Sequence, residues 1–209
     1  MVNPKIEKEF IKKILVEKLK NPKISYNKII ESYSPFLEEN RKVAEQLIKK
    51  GKIKTTGKQV TVTESGRKYV KVILCGGTFD IIHPGHLLTL GMAKSLGDVL
   101  VVIVSTDETA EKNRGRKTYN NEEKRLELVS SLRIVDFAMI GEKGNIYNTL
   151  IKINPDIVAL GYDQIHNEKE IKEFAKSKGK KIKVIRFTKS IGGIKSSSLL
   201  KDDNLVNET

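Results

Sequence analysis

Two periodicities divide the chain. Over its first third, apolar residues recur every three or four positions. Ile6, Phe10, Ile11, Ile14, Leu15 and Leu19 form one stripe, the spacing of an amphipathic helix over 6–20. Asn21-Pro22 ends it, because the residue before a proline avoids helical geometry. Ser25 is placed to cap a second helix, which carries Ile29 and Ile30 and stops near Ser34-Pro35. A third helix is predicted over 37–50, with Val43, Leu47 and Ile48 on one side and Gly51 closing it. Ile53-Lys54-Thr55 and Val60-Thr61-Val62-Thr63 flank Thr56-Gly57-Lys58-Gln59, which reads as a hairpin with a glycine turn.

Beyond residue 69 the pattern changes. Short, continuous apolar runs at 70–75, 98–105, 136–140, 157–160 and 182–187 alternate with helical stretches at 85–96, 121–132, 145–153 and 167–178. Strands that are apolar on both sides and alternate with helices imply a parallel sheet covered on both faces. The predicted fold class is α/β. A small domain of three helices and a hairpin over 1–69 precedes a Rossmann-like parallel-sheet domain over 70–201, with a polar tail over 202–209. Ligands of such sheets bind beyond the carboxyl ends of the strands. Four polar segments fall there: 76–86, 105–119, 161–164 and 188–198.

Charge and composition narrow the picture. The net charge is +13. Residues 1–70 hold 17 Lys and Arg against 8 Asp and Glu, and the remainder 22 against 18. The excess therefore belongs mainly to the N-terminal third. Such a bias suits contact with nucleic acid or a lysine-rich solvated surface. The single cysteine, Cys75, excludes an intrachain disulfide framework. No apolar run reaches the ~20 residues that span a bilayer, and the first residues lack the apolar segment of a signal peptide. A cytoplasmic protein with no membrane partner is expected.

Candidate chemistry concentrates in Cys75-Gly76-Gly77-Thr78-Phe79-Asp80-Ile81-Ile82-His83-Pro84-Gly85-His86. It reads as strand, glycine turn and helix start. Gly76 and Gly77 allow close backbone approach to a ligand, and Pro84 suits the first helical position. Free N–H groups and the positive end of a helix favour phosphate. His83 and His86, three apart, reach the same anion. Two histidines without a third ligand make a poor zinc site, so no metal ligands are assigned. The basic segment Lys112-Asn113-Arg114-Gly115-Arg116-Lys117-Thr118-Tyr119 is expected to be a loop beside this turn. Ser196, Ser197 and Ser198 precede an apolar helical turn and offer a second anion-binding helix start.

The His-x-Gly-His run after a strand ending in Gly-Thr-Phe-Asp resembles the signature of the HxGH nucleotidylyltransferase superfamily. That superfamily includes cytidylyltransferases and archaeal FMN adenylyltransferases (FAD synthases). The resemblance covers roughly residues 70–200. It implies transfer of a nucleoside monophosphate from a nucleoside triphosphate to a phosphate acceptor, with pyrophosphate leaving. His83 and His86, as neutral imidazoles near a helix N-terminus, would donate to phosphate oxygens as charge builds. Gly76, Gly77, Thr78 and Phe79 would hold the nucleotide, with Thr78 and the neighbouring backbone at the α-phosphate. Arg114, Arg116 and Lys117 would hold the triphosphate or the acceptor. Gly161, Tyr162, Asp163 and Gln164 would form the base corner, and Ser196, Ser197 and Ser198 would receive pyrophosphate. A divalent cation, Mg²⁺, is expected to bridge the phosphates, with no dedicated carboxylate cage.

Two substrate pairs suit the scaffold. Ala159-Leu160-Gly161-Tyr162-Asp163-Gln164 and the lack of tryptophan resemble the FAD synthases, which implies ATP and FMN. Ser105-Thr106-Asp107-Glu108 and the basic segment resemble the glycerol-3-phosphate cytidylyltransferases, which implies CTP and glycerol 3-phosphate. Arg114 and Arg116 stand where cytidylyltransferases often carry lysines. The family's Arg-Thr-Glu-Gly-Ile-Ser-Thr-Thr pattern is absent, leaving Arg186, Lys189 or Lys195 as its cation. Arg133-Ile134-Val135-Asp136 resembles a family element that is mostly structural. The first 69 residues resemble a winged-helix domain, either a DNA-contacting unit or, the favoured reading, a packing or dimerisation module in a homodimer. Glu38 and Glu39, which open the third helix, would repel phosphates. The rival to an enzyme is a winged-helix regulator that senses a nucleotide.

Overall fold

A computed structural model of the chain describes residues 2–142, 146–161 and 164–188. The chain divides into a unit ending at Lys71 and a unit beginning at Val72; the sequence expectation put this boundary at residue 69.

In the first unit α1 (Pro4–Lys20), α2 (Tyr26–Tyr33) and α3 (Leu37–Lys49) are followed by β1 (Ile53–Thr56), β2 (Gln59–Val62) and the one-turn α4 (Glu64–Arg67). Asn3 caps α1 and Ser25 caps α2, each through its side-chain oxygen. Phe10, Ile11, Ile14, Ile29, Ile30, Leu47 and Val60 are buried. The strands pair antiparallel from Ile53↔Val62 to Thr56↔Gln59, and Ser25 adds an isolated bridge to Gln59. Gly57 closes the hairpin at a φ of +58°.

The second unit contains β3 (Val72–Gly77), α5 (Pro84–Ser95), β4 (Val99–Val104), α6 (Asp107–Arg114), α7 (Glu122–Ser130), β5 (Phe137–Ile140), α8 (Ile146–Ile153), β6 (Ile157–Leu160), α9 (Glu168–Ser177) and β7 (Lys183–Arg186). Its five strands run parallel in the order β5-β4-β3-β6-β7. The central register aligns Cys75 with Val102 on one side and Ala159 on the other. Ile73, Leu100, Val102, Leu90, Ala93 and Val129 form the core with them. The strand order reverses beside β3, the position where ligands of such sheets bind.

Two carboxylates finish the opposite end of the sheet. Asp136 accepts from the Leu100 amide at 2.7 Å and pairs with Lys94. Asp156 accepts from the Val72 amide at 2.7 Å. Asp136 thus has the structural place implied for Arg133-Ile134-Val135-Asp136.

One element corrects the sequence reading. Residues 107–114 are a helix, so only the last part of the basic segment is a loop. Thr106 caps α6 by accepting from the Thr109 amide, Asp107 and Glu108 sit in its first turn, and Gly115 ends it at a φ of +70°. Cap, acidic first turn and terminal glycine are each favourable helix signals. The strong charge of the stretch masked them.

Candidate active site

The site is built at the carboxyl end of β3. Beyond Gly77 the chain turns through Phe79, which has a φ of +55° although its side chain gains nothing from that region. Its ring is buried and lies over Gly77. A Cβ at Gly77 would stand 2.8 Å from the Phe79 ring, so glycine is required there by contact. On its other side the Phe79 ring meets His86, with centroids 5.2 Å apart.

His83 and His86 start α5 with a reciprocal cap. His83 Nδ1 accepts from the Gly85 amide at 3.1 Å, and His86 Nδ1 accepts from the His83 amide at 3.3 Å. The rings stack at 3.9 Å. With Nδ1 an acceptor on both rings, the neutral proton sits on Nε2 in each. Burial first, then electrostatic interaction with His83 and Arg114, lowers the His86 pKa to about 4. His86 is therefore a neutral donor through Nε2–H at physiological pH.

This corrects the expected origin of the anion site. The helix start was expected to present free backbone amides. Instead Pro84 has none, the Gly85 amide serves His83 Nδ1, and the His86 and Leu87 amides serve the His83 carbonyl at 2.9 and 3.3 Å. The helix spends its first amides on its own cap, and the His86 imidazole presents Nε2–H as a donor that a ligand can meet. The neutral state of His86 comes chiefly from burial, where the sequence reading invoked the helix dipole.

The basic segment is gathered by a residue to which sequence reading gave no role. Asp80 is fully buried. Its Oδ1 accepts from the amides of Tyr119 and Asn120 at 2.7 and 3.2 Å. Its Oδ2 faces Nη1 of Arg114 and Nη1 of Arg116, each at 3.3 Å. Arg114, Arg116 and the turn carrying the histidines are thus brought together. Arg116 Nη2 is buried without a hydrogen-bond partner in the protein, a donor suited to an anion. Lys117 is exposed, and its carbonyl accepts from Arg116 at 2.9 Å.

A second overlooked residue supports the same turn. Arg125 is fully buried. It donates to the Thr78 carbonyl at 2.6 Å, to Asp107 Oδ1 at 2.6 Å and to the Asn120 carbonyl at 3.0 Å. Thr78 Oγ1 also accepts from Ser105 at 3.3 Å.

Across the switch point, the Gln164 side-chain amide donates to the Gly76 carbonyl, joining the segment after β6 to β3. Gly161 is buried. Arg186 donates to the carbonyls of Gly161, Gln164 and His166 at 3.0, 2.9 and 2.7 Å, and to Glu168 at 2.9 Å. That corrects its candidacy as the cation for outgoing phosphate, because its guanidinium is occupied as a clamp on the 161–168 segment. Tyr162, Asp163, Lys189, Lys195, Ser196, Ser197 and Ser198 lie outside the described residues. Burial pushes the Cys75 thiol up to about 12, which keeps it protonated and unreactive.

A family model described as cytidylyltransferase-like matches residues 74–202. The chain belongs to that family. Members similar to it include the FAD synthase of Picrophilus torridus, 47% identical over 126 residues, which span 60% of this chain and 90% of that one. The FAD synthase of Pyrococcus abyssi is 46% identical over 124 residues, spanning 59% of this chain and 83% of that one. Among solved structures, the lipopolysaccharide core biosynthesis protein of Thermoplasma volcanium superposes with a TM-score of 0.56 at 39% identity, covering 58% of this chain and 99% of that one. The family region takes in the whole site described above, and residues 1–73 precede it.

Proposed function

We propose that this cytidylyltransferase-like protein transfers AMP from ATP to FMN, making FAD and pyrophosphate. The observation that carries the reading is the His83/His86 pair with Nε2–H fixed on both rings, in a chain 46 to 47% identical to proteins named FAD synthase. A phosphate oxygen of FMN attacks the α-phosphorus, a new P–O bond forms, and the bond from that phosphorus to the bridging oxygen of pyrophosphate breaks. The chain's contribution is positioning and charge stabilisation. His83 and His86 donate to oxygens whose negative charge grows in the transition state. Thr78 and the backbone from Gly77 to Phe79 hold the α-phosphate, and Arg114, Arg116 and Lys117 balance the triphosphate and the acceptor phosphate. Gly161 and Gln164, with Tyr162 and Asp163, take the adenine, and Ser196, Ser197 and Ser198 take pyrophosphate.

A divalent cation, Mg²⁺, would ride on the phosphates. Among the described residues no group of three or more His, Cys, Asp or Glu could hold one, and both oxygens of Asp80 are engaged. Among the described residues no helix is long and apolar enough to cross a membrane. The N-terminal unit is read as a winged-helix-like packing module of a homodimer. Support for the winged-helix-like arrangement comes from its helix order, its hairpin and the Ser25–Gln59 bridge. The exposed side of α3 mixes Glu38, Glu39 and Glu45 with Arg41, Lys42 and Lys49, a poor match to a nucleic-acid backbone.

The test is pyrophosphate release with ATP or CTP, each paired with FMN or glycerol 3-phosphate. Turnover confined to ATP with FMN supports the reading. Turnover confined to CTP with glycerol 3-phosphate replaces it.

A further inference from the structure

We propose that Asp80 is the positioning residue of this site, setting the two arginines on the nucleotide phosphates through a brace that runs Asp80–Asn120–Arg125. The inference rests on the nucleotidyl-transfer reading above. The two oxygens of Asp80 divide the work. Oδ1 is anchored by the backbone amides of Tyr119 and Asn120 at 2.7 and 3.2 Å. Oδ2 faces Arg114 and Arg116, each at 3.3 Å. Those last distances lie beyond the usual range for charge-assisted bonds, so the carboxylate gathers the guanidiniums loosely. Arg116 Nη2, buried and unpartnered, is the donor held in reserve.

Asn120 is the joint. Its amide donates to Asp80 Oδ1, its side chain donates to the Asp80 carbonyl at 2.9 Å, and its own carbonyl accepts from Arg125 at 3.0 Å. Arg125 continues to the Thr78 carbonyl at the phosphate turn. One buried anion and one buried cation thereby fix the arginines and the turn relative to each other. Two long cationic side chains gathered in this way lose less freedom when phosphate arrives than two free ones would.

Asp80→Asn tests this at the level of single atoms. The amide oxygen can still accept from Tyr119 and Asn120, while the amide nitrogen, itself a donor, now opposes both guanidiniums. The assay is a double-mutant cycle between Asp80→Asn and the pair Arg114→Gln with Arg116→Gln, read as kcat/KM for FAD formation. Coupled residues give non-additive losses. Asp80→Asn is expected to cost about 30-fold in the native background and less than about twofold in the arginine-free background. Equal losses in both backgrounds overturn the proposal, because a merely structural role is blind to the arginines.

The same cycle on ATP affinity by calorimetry separates this inference from the choice of FMN. If the native protein makes no FAD, a loss of about tenfold in ATP affinity that vanishes without the arginines still supports the brace, and an additive loss sinks it. Circular dichroism checks each variant for folding. Should Asp80→Asn not fold, Asn120→Ala takes its place in the cycle. It removes one bond to Asp80 and leaves every charge intact, with about fivefold expected against no effect; equal losses again refute.

Discussion

Replacing His86 by alanine bears most directly on the chemistry. The ring touches the rest of the site in three ways: Nδ1 accepts from the His83 amide at 3.3 Å, the face stacks on His83 at 3.9 Å, and Phe79 packs at 5.2 Å. What it offers a substrate is Nε2–H. Loss of one preorganised donor to a developing oxyanion costs on the order of 10²–10³ in kcat, or about 3–4 kcal/mol. The ground-state phosphate carries less charge at that oxygen, so the KM for ATP should move by less than about threefold. The pKa of about 4 adds a pH signature. Because His86 is already neutral, it imposes no change on kcat between about pH 6 and 8, and activity falls only as pH approaches 4. A protonated His86 acting as an acid would instead give a kcat that rises below pH 6.5. Stability follows the same sign. The folded pKa is depressed below 6.5, so between 6.5 and about 4 the unfolded chain takes up a proton that the folded chain refuses. The contribution is complete above pH 6.5 and is lost as pH falls toward 4, by roughly 3 kcal/mol at most. Pyrophosphate release from pH 4.5 to 8, with urea melts of native and variant protein, measures both effects. A His86→Ala protein with near-native kcat would refute the assignment of His86 as a transition-state donor.

Three further outcomes are expected. Gly77→Ala sets a methyl 2.8 Å from the buried Phe79 ring; thermal melting should show about 1–3 kcal/mol of destabilisation and turnover should fall, whereas an unchanged melting temperature would deny that contact. Arg186→Ala frees the carbonyls of Gly161, Gln164 and His166, so the KM for ATP should rise about tenfold with kcat nearly constant; the reverse pattern would return Arg186 to the outgoing phosphate. Deleting residues 1–68 removes none of the residues matched by the family model, and the shortened chain should fold and turn over; a folded but inert product would give the N-terminal unit a part in the site.

The central strands β3, β4 and β6 were legible in sequence because strands buried on both faces cannot hide their apolar runs, and the His-Pro-Gly-His turn because its spacing is local. Asp80 and Arg125 were not assigned a role. A buried charge is recognised by its partners, and theirs lie far along the chain, Arg116 for Asp80 and Thr78 for Arg125. Nothing in Phe-Asp-Ile or Lys-Arg-Leu announces burial. The helix over 107–114 was legible in principle, from the Thr106 cap and Gly115, but its charge drew the reading toward a loop. Arg186 illustrates the opposite case: in sequence it stood open among three cations near the phosphate segment, and only the three carbonyls around it reveal a clamp.

Transfer of adenylate to FMN is measured most directly with ATP labelled at the α-phosphorus, incubated with the protein and FMN, with the flavin products separated. FAD should carry the label, with one pyrophosphate released per FAD, and both should be lost in His86→Ala. Unlabelled FMN recovered intact, while CTP and glycerol 3-phosphate are converted to CDP-glycerol under the same conditions, would contradict it.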